Sequence, residues 1–272
     1  MRPLSPHAAV FLPVALLASF ASLTACGGVT PEPAAEAPQP APGTEAPEPE
    51  RAGAMALPNT IDQDGIEVAF VDAVPEDKAR LILDEALRAR DAVNEFFGSS
   101  LDTVPIRVSN ERGIPTASRG TIYLPADRID HVTADWAHDP MSITHEMTHL
   151  LGRGRRPDRL LVEGLAVYVN DRIGRPSYPN AGEDLHAATL RMQAELGRTL
   201  PLLESEHYRR RGSREERRLA YTQEGSFARW YIERHGLQAF LDLALDEADY
   251  ADQPELWQRL EEGWRGELAA GR

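Results

Sequence analysis

The segment His145-Glu146-Met147-Thr148-His149 constrains this chain more than any other stretch. Two histidines four residues apart can reach one point only if the segment is helical, because they then lie one turn apart on the same face. Both imidazoles can meet a single ion there. Glu146, next to the first histidine, projects beside that point, which suits a base acting on water at a metal. The flanks agree with a helix. Asp139 is a good N-cap, Pro140 fits a first turn, and Gly152 fits a C-terminal stop.

A second segment supplies the next expected ligand. Residues Pro157 to Ile173 read as a helix, with proline at the start and Gly174 at the end. Leu160, Gly164 and Val167 form one apolar stripe, and Glu163 falls within it. A carboxylate on a buried face is costly unless it is paired or binds metal. The first helix offers that partner. His145, His149 and Glu163 are therefore the expected ligands, with a fourth position left for water. Gly164 would let the two metal helices approach closely. Gly152 follows His149 by three, as in metzincins, but Arg155 stands where those need a third histidine.

Together the two segments resemble the gluzincins, specifically the bacterial peptidase MA-like domains. Their pattern is a helix with HExxH, then a nearby helix reading close to LxEGxAxY, here Leu161, Glu163, Gly164, Ala166 and Tyr168. A further similar piece is Tyr221 with Ser226-Phe227, followed by a helix ending His235-Gly236. The resemblance runs from Ile66 to Gly236. It implies zinc, His145, His149 and Glu163 as its ligands, Glu146 as general base, and peptide hydrolysis. Two departures stand out. Thirteen residues, Leu150 to Val162, separate His149 from Glu163, fewer than in thermolysin-like enzymes. Those enzymes also place an aspartate four residues after the glutamate to orient a histidine, and here that residue is Val167. Asn170 or Asp171 is expected to take over that role.

Tyr221 lies on a helix opened by a capping box, Ser213 with Glu216. Similar zincins use a tyrosine or histidine to hydrogen-bond the oxyanion, so Tyr221 is the candidate donor, with surface packing as the alternative. Tyr168 is a weaker candidate, because its helix faces the core. His131, His138, His186, His207 and His235 are expected on the surface or in loops. A strand over Ser118 to Leu124 would lie at the edge and pair with extended substrate. Arg153, Arg155, Arg156 and Arg159 cluster between the metal helices, as a solvated loop or as contacts for acidic substrates or lipid phosphates. The rival reading is a zinc-stabilised binding or assembly lipoprotein without turnover. The intact Glu146 argues against it, since a structural site needs no base.

The rest of the chain frames this centre. Residues 1–25 read as a lipoprotein signal peptide, with Arg2 before an apolar run from Ala8 to Phe20. Leu23-Thr24-Ala25-Cys26 resembles the bacterial lipobox, which implies cleavage before Cys26 and lipid on its sulfur. Two or three acyl chains would anchor the protein stably in a membrane of the cell envelope. Gly27 is not the aspartate that retains some lipoproteins at the inner membrane. Residues 26–58, rich in Pro, Ala and Glu, have no core to build and are expected to form a disordered tether.

Residues 59–272 then form the expected domain, an α+β fold with a small N-terminal mixed sheet followed by a mainly helical, zincin-like part. Strands are expected over 66–71, 105–109 and 118–124, and a helix over 75–97. Cys26 is the sole cysteine, so a disulfide and a cysteine-based zinc site are both excluded. The net charge of −14 argues against a nucleic-acid partner.

Overall fold

In the computed structural model the described residues are 57–110, 112–151, 159–245 and 253–271. The expected signal peptide, Cys26 and its lipid, and the tether as far as residue 56 lie outside them. So do Gly152, Arg153, Arg155, Arg156 and Pro157, together with the side chain of Arg159. All the described residues fall within one unit, Gly53–Arg272.

The fold is α+β, as expected. A five-stranded mixed sheet has the order β1-β2-β3-β5-β4. Its strands are β1 (Asn59–Gln63), β2 (Ile66–Phe70), β3 (Val104–Ser109), β4 (Thr116–Ser118) and β5 (Thr121–Pro125). β2, β3 and β5 run parallel, and β1 and β4 pair antiparallel at the two edges. Between β2 and β3 runs α1 (Glu76–Phe97), which packs on the sheet through Ala79, Ile82, Leu83, Ala86 and Val93. Its ends match the sequence. Pro75 occupies the N-cap, Glu76 and Asp77 sit in the first turn, and Gly98 closes the helix at φ +60°.

From residue 143 onward the described regular elements are all helical. They are α2 (Ile143–Leu151), α3 (Arg159–Ile173), α4 (Leu185–Leu196), α5 (Ser205–Arg211), α6 (Arg214–His235), α7 (Leu237–Leu245) and α8 (Pro254–Ala269), with a short 3-10 turn between α4 and α5. α2 packs against α1, α3 and β4, and α3 packs against α6.

Three local expectations are corrected. The single strand over 118–124 is a hairpin. Arg119 and Gly120 have φ values of +49° and +82° and turn the chain between β4 and β5. β5 consequently lies inside the sheet, and the edge strand is Thr116–Ser118. A strand absent from the reading, β1, pairs with β2 across Asp64-Gly65, where both residues have positive φ and so suit a tight hairpin. Finally, α2 begins at Ile143 rather than directly after Asp139, and Pro140 lies in a turn before it. Asp139 still caps the helix, from a distance. Its Oδ1 accepts from the Met141 N–H at 2.8 Å and its Oδ2 from the Ile143 N–H at 2.6 Å. Burial pushes this carboxyl up to about 6, against the pull of those two N–H groups.

Candidate metal centre

α2 presents two imidazoles along one face, as the four-residue spacing requires. His145 Nε2 and His149 Nε2 lie 3.1 Å apart. α3 brings Glu163 over them, with its Oε2 3.4 Å from His145 Nε2 and 3.5 Å from His149 Nε2. Donors bound 2.0–2.1 Å from a tetrahedral ion lie about 3.3 Å from one another, so these three atoms already stand at ligand spacing. His145, His149 and Glu163 form a group that could hold a metal ion. Burial pushes the Glu163 carboxyl up, but hydrogen bonds from both imidazoles outweigh it and hold the group well below its usual range. Burial likewise lowers the His149 imidazole, and Glu163 more than reverses that shift.

α2 is held in place from behind. Arg88 on α1 donates to Thr144 Oγ1 at 3.1 Å, to the Ile173 carbonyl at 3.0 Å and to Glu85 Oε1 at 2.8 Å from its Nε. Glu85, only 2% exposed, also accepts from Arg175 at 3.3 Å. One guanidinium thus ties α1 to the start of the first ligand helix and to the end of the second.

The three ligand atoms face a cleft of about 1290 Å³. Glu146 and Tyr221 line it with them, so the expected base and the expected oxyanion donor share a wall with the ligands. Ile114, Pro115 and the β4 residues Thr116 and Ala117 form another wall. The strand beside the site is therefore the true edge strand, not the 118–124 segment of the sequence reading. Burial pushes the Tyr221 hydroxyl up to about 12, with the Glu163 charge adding to the rise, so it is a hydrogen-bond donor at neutral pH. Tyr178 packs edge-on against the Tyr221 ring at 5.6 Å.

Other expected residues sit elsewhere. Tyr168 packs edge-on against Phe96 at 6.2 Å and does not line the cleft. Asn170 donates to Ser177 Oγ at 2.8 Å, and Asp171 accepts from Asn180 at 2.6 Å. Neither takes the orienting role expected of it. Gly164 allows a close approach, but toward α6 instead of α2, since a Cβ there would meet the Glu224 carbonyl oxygen at 2.6 Å. His131, His138, His207 and His235 are exposed. His186 is half-buried, with its Nδ1 2.7 Å from Ser226 Oγ, which also accepts from Trp264 Nε1 at 3.0 Å.

The sequence carried no signal for Arg209, the first of three consecutive arginines. Its side chain is 6% exposed, and it lines the cleft between Glu163 and Tyr221. No protein-family model matches the chain, and no curated protein does. The resemblance to gluzincins rests on the residues of the ligand helices themselves.

Proposed function

We propose that this protein is a zinc-dependent peptidase of the gluzincin kind, held at the cell envelope by lipid on Cys26. The observation that carries this reading is the convergence of His145 Nε2, His149 Nε2 and Glu163 Oε2, 3.1 to 3.5 Å apart, on the wall of an open cleft. Two imidazoles and a carboxylate at tetrahedral spacing suit zinc, and they leave a fourth position free.

Zinc bound there would act as a Lewis acid, lowering the pKa of water and polarising the scissile carbonyl. Glu146 takes the proton of the attacking water and returns it to the departing amine. Tyr221, protonated at neutral pH, donates a hydrogen bond to the oxygen that gains charge. The edge strand Thr116–Ser118 has one side free of the β5 ladder and offers its backbone to an extended peptide. The proposed anchor is the lipid on Cys26, and among the described residues no helix is long and apolar enough to cross a membrane.

Cleavage of a broad peptide library by the zinc-loaded protein, with Glu146→Gln as control, tests the reading. The amide is nearly isosteric but cannot accept the proton. At matched zinc occupancy, hydrolysis should fall by roughly two to four orders of magnitude. A protein that binds zinc stoichiometrically but cleaves nothing would instead be the binding or assembly lipoprotein. One that takes up no zinc would end both readings.

A further inference from the structure

A guanidinium buried beside a metal ligand calls for a reason, because taking it out of water is expensive. Arg210, the next residue, shows the ordinary arrangement: its side chain is 56% exposed and pairs with Glu206 one turn away. Arg209 instead turns inward. Its Nε lies 3.0 Å from Oε1 of Glu224, a carboxylate with no exposed surface. Its Nη1 lies 3.5 Å from Oε1 of Glu163, the oxygen that does not face the imidazoles. Its Cζ stands 5.3 Å from the centre of the Tyr221 ring, within cation–π reach. One side chain thus touches the carboxylate ligand, a buried anchor on α6 and the candidate oxyanion donor. The backbone repeats the link, because Gly164, adjacent to Glu163, lies against the carbonyl of Glu224.

We infer that Arg209, fixed by Glu224, is the positioning residue of the metal centre: it holds the Glu163 carboxylate with Oε2 turned to the imidazoles and ties Tyr221 to that same ligand. This inference rests on reading His145, His149 and Glu163 as a metal site. A carboxylate ligand free to rotate would bind metal more weakly, and partners that orient ligands commonly contribute ten- to a hundredfold in affinity. The rigid guanidinium fork suits the task, since it addresses two carboxylates at once in a fixed plane. A buried ion pair with no such role would affect folding stability alone.

The test uses the full chain and the double variant Arg209→Met/Glu224→Gln, which removes the two paired charges together. Three quantities are read: the zinc Kd by competition with a chromogenic chelator, the visible absorption band of the cobalt-loaded protein, and the Tm of the metal-free protein. The expected result is a zinc Kd about 10- to 100-fold higher, with a shifted cobalt band and a Tm within a few degrees of wild type. Arg209→Lys, which keeps the charge but not the fork, should recover part of the affinity. A folded double variant with wild-type zinc affinity and an unchanged cobalt band overturns the inference. If the double variant does not fold, Arg209→Lys decides, and wild-type Kd and band in that variant overturn it equally. A wild-type protein that takes up no zinc fails earlier, at the metal centre itself, and removes the positioning role with it.

Discussion

The sheet with α1 and the seam between α3 and α6 are both buried, but the seam takes in more polar groups. On the sheet side, Ile66, Val68, Val104, Ile106, Val108, Ile122 and Leu124 meet Ala79, Ile82, Leu83 and Val93, and none of these side chains has a polar atom. In the other half, the buried face of α6 includes Thr222, Gln223, Glu224 and Ser226, and Arg209 reaches it from α5. Two glycines tighten the seam: a Cβ at Gly225 would meet Val167 Cγ1 at 2.3 Å, as one at Gly164 would meet Glu224. An apolar layer gains from every atom removed from water and asks only for volume. Buried charge earns no such gain unless each group finds a partner. The second half keeps an apolar core too, with Leu161, Val167, Phe227 and Trp264, and adds to it the polar groups that pack beside Glu163.

That contrast can be broken from either side. The largest expected effect is in the sheet. Ile106→Ala, at a position 1% exposed, should cost about 2–5 kcal/mol in denaturant unfolding and leave zinc per folded molecule unchanged. Its mirror is Glu163→Ala, which should strip zinc from the protein while the metal-free form unfolds near the wild-type midpoint. If Ile106→Ala lowered zinc affinity and Glu163→Ala did not, the division would be wrong.

A smaller effect lies where the two halves meet, at Asp139. Its folded pKa of about 6 stands above the ordinary 3.8. The sign follows from linkage. The group's contribution to stability is fully present below about pH 4 and is lost as the pH rises through about 6. Asp139→Asn has no charge to titrate, so its stability relative to wild type should improve between those limits by roughly 2 kcal/mol. Melting both metal-free proteins across that range checks it, and a flat difference would mean that Asp139 titrates normally. The smallest effect is expected at Gly164→Ala. Overpacking against the Glu224 carbonyl costs about 1–3 kcal/mol, and the gain in helix propensity offsets about 1 of it. A measurable rise in zinc Kd should accompany it, because the displaced helix carries Glu163. Unchanged zinc affinity with lowered stability would place Gly164 on the structural side of the comparison.

What could be read beforehand follows the same line. α1 was legible to within a residue because its apolar period, first-turn acids and closing glycine agree. The convergence of His145, His149 and Glu163 was legible because a four-residue spacing has a single geometric solution on a helix, and because an acid on an apolar stripe needs a partner. The start of α2 was misplaced because Asp139 does cap it, but across a loop of three residues instead of directly. The β4–β5 turn was missed because Gly120 sits inside an otherwise strand-like run. Arg209 could not be found at all. In sequence it is one of three arginines on a short helix, and its partners Glu163 and Glu224 come from two other helices. Partnerships of that kind exist only once the helices have packed.

The Arg88 bracket has a kinetic consequence. α2 has nine residues, about two and a half turns, too few to persist as an isolated helix. Its hold on Thr144 and on the Ile173 carbonyl comes from α1, which itself lies on the sheet. The amides of α2 should therefore exchange with solvent deuterium no more slowly than those of α1, since whatever undocks α1 also releases α2. While α1 stays docked, the imidazoles of the metal-free protein would wait in finished positions, and metal uptake would be a second-order encounter with a folded chain, its rate proportional to metal concentration and untouched by the rate of folding.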